Sequence, residues 1–155
     1  MRMSRIVRIG ADILYPAIVI FGLYIVAHGH LTPGGGFQGG AVIATGGALV
    51  IVAYSYKEVT EWLTKKVLMG QEVIGLLGFI GAGLLAFAVG QVFFFNFLAN
   101  SGSLFGMPVP YGINPGELNT AGVIPVMNFA VGIEVWGGLT IVILYMLSGL
   151  EKEGY

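Results

Sequence analysis

The chain has 155 residues, 56% of them hydrophobic and only 10% charged, with a mean hydropathy of +0.88. Soluble domains carry about 25% charged residues, so a water-soluble fold is excluded, and a net charge of −1 gives no basic footing for nucleic acid. The absence of cysteine removes disulfides, thiolate chemistry, cysteine-bound zinc and iron–sulfur clusters together.

Residues 9–27 form the first apolar run. Its length of about 28 Å at ~1.5 Å per residue matches the hydrocarbon thickness of a bilayer. Arg2, Arg5 and Arg8 precede it as in a signal peptide, but His28, Gly29 and His30 follow it instead of a small-residue cleavage site, so it is expected to stay as a membrane span. A turn-rich patch at 29–36 leads to a second span at 37–56, with Thr32 as candidate N-cap and Pro33 in the first turn. Residues 57–72 hold most of the mid-chain charge. There Val59, Leu63 and Val67 fall at every fourth position, Glu61 stands one turn before Lys65, and Trp62 suits the headgroup level, which predicts a short interfacial helix. Third and fourth spans are predicted at 73–98 and 125–148, the latter opening at Pro125. The connection at 99–124, rich in Gly, Pro, Asn and Ser, reads as an ordered loop with turns at 108–112 and 114–116. The predicted fold is therefore all-α, a single membrane domain over 1–155 with four transmembrane helices and an interfacial helix.

All 7 basic residues, Arg2, Arg5, Arg8, Lys57, Lys65, Lys66 and Lys152, fall on one side of a four-span chain. The positive-inside rule then places both termini in the cytoplasm, with the 28–36 turn and the 99–124 loop outside. The 26 glycines are not scattered at random. Gly36, Gly40, Ala44 and Ala48 recur one turn apart in the second span, as do Gly78, Ala82, Ala86 and Gly90 in the third, and such rows let helix backbones touch. A chain this small is expected not to bury both rows internally, which points to partner subunits within the lipid bilayer.

Few side chains could carry chemistry. Asp12 lies one turn inside the first span, and Pro16 frees the Asp12 carbonyl by lacking an N–H, so one stretch offers two oxygens of the kind a cation or proton path uses. The plainer reading solvates Asp12 at the interface or pairs it with Arg8. Glu134 is deeper, about 13–14 Å along the fourth span, where a bare carboxylate costs at least ~2.5 kcal/mol. It is either a proton or cation relay or a neutral acid hydrogen-bonded to another helix. Ala130, Gly137 and Gly138 share its face and would let that helix approach. His28 and His30 stand off a common helical face, so neither haem nor another metal is expected, and His30 reads as a proton acceptor or as a cap for exposed carbonyls. Glu72, at a span edge, and Glu117, in a loop, read as solvated. No nucleophile and base can be assembled, so an independent enzyme is not expected. Gly34 to Gly39 fits the dinucleotide pattern G-x-G-x-x-G in letters alone, since no strand precedes it.

The stretch from Gly29 to Gly40 reads G-H-L-T-P-G-G-G-F-Q-G-G. In it the sequence resembles the MnhB (MrpB) family, the B-type subunits of the Mrp multisubunit cation/proton antiporters. His30, Pro33, Gly34, Gly35, Gly36, Phe37, Gly39 and Gly40 match that family's pattern G-H-x-x-P-G-G-G-F-x-G-G. The resemblance implies a non-catalytic membrane subunit that works alongside other Mrp-type subunits in exchange of Na⁺ for H⁺ and binds no cofactor of its own. It also implies two further hosts, archaeal membrane-bound hydrogenase and sulfane sulfur reductase, where the same module couples ferredoxin oxidation to ion pumping. Thr32, Gln38 and the 99–124 loop look more like that archaeal variant.

Overall fold

A computed structural model describes residues 3–109, 114 and 116–152; Arg2 and part of the predicted 108–112 turn lie outside the described residues. The helices are α1 (Arg5–His28), α2 (Gly36–Tyr54), α3 (Tyr56–Trp62), α4 (Lys65–Ala88) and α5 (Val123–Lys152). All but α3 are long and apolar enough to cross a membrane.

Local chemistry sets the boundaries, and it moves several of them. Ser4 caps α1 by accepting from the Val7 N–H at 3.4 Å. Thr32 does not cap α2; its hydroxyl donates back to the His28 carbonyl at 3.4 Å. The chain reverses at Gly34, whose φ of 103° suits a residue without Cβ, so helical geometry begins only beyond it. Gly35 is the cap residue, its N–H donating to Gln38 Oε1 at 3.0 Å.

The expected interfacial helix at 57–72 is split in two. Leu63 leaves helical geometry (φ −105°, ψ 78°), and Thr64 caps a new helix by accepting from the Val67 N–H. Val59 and Leu63 pack against the core while Val67 is exposed, and Glu61 and Lys65 sit on different helices. Residues 65–72 thus open the third span. That span also ends early, at Ala88 rather than 98, because Gly90 (φ 74°) turns the chain and Phe94 N–H donates to the Gly83 carbonyl at 3.3 Å. The rings of Phe93 and Phe94 return over α4 to meet Phe87 and Phe79.

The described parts of the long connection are held by side-chain hydrogen bonds, in keeping with the expected ordered loop. Asn96 donates to the Ala121 carbonyl at 2.9 Å and accepts from the Val123 N–H at 2.8 Å, pinning the loop to the start of α5. Asn119 Oδ1 accepts from Phe105 N–H. Asn114 Oδ1 accepts from Gly116 and Glu117 N–H at 3.1 and 3.0 Å, the side-chain turn predicted there.

Contacts fix the helix directions. Gly22 and Val26 meet Gly39, and Met3 N–H donates to the Ala53 carbonyl at 3.3 Å, so α1 and α2 are antiparallel. Gly36, Gly40 and Gly47 face Asn128, Gly132 and Thr140 in turn, so α2 and α5 are parallel. Gly75 faces Ala130 and Glu134, Gly137 faces Leu68, and Lys65 Nζ donates to Ser148 Oγ at 3.3 Å, so α4 and α5 are antiparallel. Both ends of the described chain therefore share one face with α3. The core cluster of Val50, Ile51, Val59, Leu68, Ile141 and Leu144 lies under that face.

The small-residue rows are covered in part inside the chain: the α2 row is largely buried, while on the α4 row Gly78 stays exposed although a Cβ there would meet Ala130 at 3.4 Å. Gly36, Gly40 and Ala44 are buried on the α2–α5 seam, and Ala82 and Ala86 are buried on α4. Only Gly90, beyond the helix end, meets nothing. What stays exposed is large and apolar, including Ile13, Ile20, Phe21, Ile74 and Leu77.

Candidate functional site

The α4–α5 interface is drawn tight at two points. A Cβ on Gly75 would stand 2.6 Å from both the Ala130 carbonyl oxygen and the Glu134 nitrogen, and one on Gly137 would stand 2.8 Å from the Leu68 carbonyl oxygen. Two helices so clamped bring their neighbouring side chains into one space. Glu72 reaches across to Gly138, its Oε1 3.5 Å from where a Cβ would project, and Glu134 precedes Gly138 by one helical turn. Both carboxyls line a single cleft of about 240 Å³ whose other walls are Phe37, Val135, Gly138, Leu139 and Val142. Among the described residues no Lys, Arg or His lines it.

Glu134 is thus placed as expected, about 16 Å into α5 at 1.5 Å per residue, on a face that another helix approaches at Ala130 and Gly137. Glu72 is not at a span edge. With α4 starting at Lys65, it sits about two turns inside the helix. The signal was available in the Thr64 cap, which relocates the helix start and carries Glu72 inward with it.

Asp12 occupies a different place. Antiparallel packing brings Tyr54 opposite it, and the tyrosine hydroxyl lies 2.7 and 2.6 Å from Asp12 Oδ1 and Oδ2, donating to the carboxylate. Of the readings left open for Asp12, pairing with Arg8 is not formed among the described residues; the Arg8 guanidinium stands 5.8 Å from the Tyr54 ring centroid instead. Asp12, Tyr54, Glu58, Glu61 and Trp62 line a cavity of about 480 Å³ at the end of the bundle that carries Arg8 and α3.

The glycine turn occupies the opposite end. His28 stacks on Tyr24 with centroids 5.2 Å apart, and its Nδ1 lies 3.4 Å from Thr32 Oγ1. His30 does not cap carbonyls, a role Thr32 fills; both its ring nitrogens are buried without a hydrogen-bond partner among the described residues. Asn128 is the residue that sequence reasoning missed here. Its amide fills the space where a Cβ on Gly35 would project, 2.7 Å from Oδ1, and its Nδ2 is also buried without a partner. The structure therefore spreads Asp12, Glu134 and His30 over three levels of the bundle and joins Glu134 to Glu72 and to Phe37 of the glycine motif.

Comparison with known proteins agrees with this architecture. The family described as a domain related to the MnhB subunit of Na⁺/H⁺ antiporter matches residues 6–141. The chain is 38% identical over 123 residues to an uncharacterised protein of Methanocaldococcus jannaschii, covering 79% of this chain and 44% of that one. It is 30% identical over 140 residues to the B-type subunit of the Na⁺/H⁺ antiporter of Bacillus subtilis, covering 88% of this chain and 85% of that one. Among solved structures it is similar to a chain of the membrane-bound sulfane sulfur reductase, an archaeal respiratory membrane complex, with a TM-score of 0.72 and 33% identity over 95% of this chain and 59% of that one. The chain thus spans less than two thirds of the length of the Methanocaldococcus protein and of the reductase chain.

Proposed function

The chain belongs to the family of MnhB-related subunits of Na⁺/H⁺ antiporters, and from that premise we propose that it is a non-catalytic, multi-pass membrane subunit of a Na⁺/H⁺-exchanging module in which Glu134 takes up and releases a proton inside the bilayer. The observation that carries this reading is the Glu134 carboxyl itself: it faces a cleft in the middle of α5 and has no hydrogen bond or ion pair among the described residues. A carboxyl at that depth changes charge only when a proton or cation moves. Arg5, Arg8, Lys57, Lys65 and Lys66 gather at one end of the bundle, which supports cytoplasmic termini by the positive-inside rule. Asp12 and its cavity then open to the cytoplasm and His30 to the outside, as the two mouths of the path. Na⁺ and H⁺ are the ions moved, other Mrp-type subunits are the partners, and the likeness to the sulfane sulfur reductase chain favours a respiratory host complex of hydrogenase or sulfur-reductase type.

The test is Glu134→Gln in vesicles holding the whole complex. Na⁺-dependent proton movement falls while co-purification of the partner subunits is unchanged; wild-type exchange across pH refutes the role. Exchange by the chain reconstituted alone would show instead an independent transporter. Identification of the subunits that co-purify from native membranes names the host.

A further inference from the structure

Tyr15, Val19, Leu23 and Val26 of α1 recur at three- or four-residue spacing and so share one face. With Ile43 of α2 beneath them and Ile133 of α5 opposite, they line an apolar groove of about 270 Å³. From Tyr15 to Val26 the groove runs about 16 Å along the helix, which leaves it a mean cross-section of roughly 16 Å². A partner helix, ~10–12 Å across with its side chains, needs several times that section. A single hydrocarbon chain is the occupant of that shape. Tyr15 also lines the cavity of about 480 Å³ that holds Asp12, so the groove and the cavity adjoin at this residue. That cavity lies at the end of the bundle that carries Arg8 and α3, and Trp62 in its wall suits the headgroup level of a bilayer. Its walls combine the carboxylates of Asp12, Glu58 and Glu61 with the rings of Tyr15, Tyr54 and Trp62, and among the described residues no Lys, Arg or His lines it. Negative charge beside aromatic faces is the chemistry that recognises an organic ammonium group. Arg8 adds the opposite charge next to the cavity: its guanidinium stands 5.8 Å from the Tyr54 ring centroid, and its Nε is buried without a hydrogen-bond partner among the described residues. A guanidinium so placed suits a phosphate. Ammonium and phosphate at the interface, with one chain running into the hydrocarbon below, is the layout of a phospholipid.

We propose that the groove between α1 and α5 binds one membrane phospholipid with an amine-bearing headgroup, its acyl chain lying along Val19 and Leu23 and its ammonium among Asp12, Glu58 and Glu61. The site is separate from the Glu134 cleft and does not depend on the reading of Glu134 given above. Because the headgroup fills part of the cavity at Asp12, the test reads lipid binding directly and not ion exchange.

The experiment places the intact complex in nanodiscs of phosphatidylethanolamine and phosphatidylglycerol in equal parts, with a trace of one or the other carrying a photoreactive diazirine in its acyl chain. After irradiation, the labelled residues of this subunit are mapped by mass spectrometry. The ethanolamine probe is expected to label Val19, Leu23 and Ile133 about two- to fivefold more than the glycerol probe, the gain from a cation held against aromatic faces. Ile20, 69% exposed on α1 outside the groove, is the control and should show no such preference. Glu58→Gln combined with Glu61→Gln should abolish the preference and keep the labelling, whereas Val19→Phe, which fills the groove, should lower labelling by both probes and spare Ile20. Equal labelling of the groove by the two probes in the wild-type complex overturns the headgroup site, and so does a preference just as strong at Ile20. Groove residues left unlabelled while Ile20 is labelled show that protein covers the groove, and overturn the proposal. A preference that survives loss of both glutamates overturns the ammonium contact. The two-probe comparison uses the wild-type complex, so it decides the matter even where a substitution prevents assembly.

Discussion

Replacing Gly40 by alanine tests the seam between α2 and α5 at a point of close backbone approach. The new methyl would stand 2.7 Å from the Gly132 carbonyl oxygen, 2.9 Å from Val135 Cβ and 3.2 Å from the Trp136 nitrogen. Two of those atoms are backbone, so no rotamer relieves the overlap, and contact at the ordinary ~3.5 Å requires the helices to part by roughly 0.8 Å at the closest point. Overpacking of this kind costs about 1–3 kcal/mol, partly offset by the ~0.5–1 kcal/mol that alanine gains over glycine within a helix. The net loss of about 1–2 kcal/mol is a five- to thirtyfold drop in the folded ratio, at ~1.4 kcal/mol per tenfold. Gly47, two turns further along the same seam, is the control. Its Cβ would meet Thr140 at 3.6 Å, an ordinary contact, so Gly47→Ala should be neutral or stabilising. Unfolding of the detergent-extracted protein, followed through the fluorescence of Trp136 near the seam, reads both variants. Equal damage from the two substitutions, or an unchanged Gly40→Ala, refutes the close-approach argument.

Three further outcomes are expected. A single cysteine at Ser101 or Ser103, in a chain with none of its own, should react with impermeant reagent from outside the cell; labelling only from the cytoplasm overturns the orientation. Asn96→Ala removes two hydrogen bonds that tie the loop to α5, and at about 1 kcal/mol or more for each group left unpaired it should make the 99–122 segment sensitive to externally added protease without loosening the α1–α2 pair. His30→Ala should lower Na⁺/H⁺ exchange while the complex still assembles, because His30 makes no cap that assembly could depend on; a collapse of assembly instead would assign it a structural task.

The four long helices were legible because each rests on a long apolar run broken by at most a single acidic residue within the predicted span. The ends of those runs were not legible from hydropathy alone. Thr64 and Gly90 shift α4 toward the N-terminus through a side-chain cap and a positive φ, and that shift carries Glu72 from the edge of a span to the wall of the cleft it shares with Glu134. The row from Gly36 to Ala48 was found by its spacing, yet spacing does not say which helix it faces, and the answer at Gly36 and Gly40, α5, lies some ninety positions away. Gly75 belongs to no row and was missed for that reason, whereas Gly137 was marked only through its place on the Glu134 face. Asp12 was marked as a site residue, but its partner Tyr54 is 42 positions distant, beyond the reach of local patterning, which could offer only the neighbouring Arg8.

The parallel seam between α2 and α5 also dictates an order of events during synthesis. The α1–α2 and α4–α5 hairpins each join neighbours through chain links and can form as soon as their second helix enters the membrane, since helices insert first and associate afterwards. The seam cannot close until α5 has emerged, so it is the final docking of two preformed halves. The halfway state exposes the glycine face of α2 to lipid, and it ends only when Asn128, Gly132 and Val135 arrive to cover that face. Substitutions on the seam should therefore leave both hairpins intact and act on their joining, slowing maturation of the subunit more than its insertion.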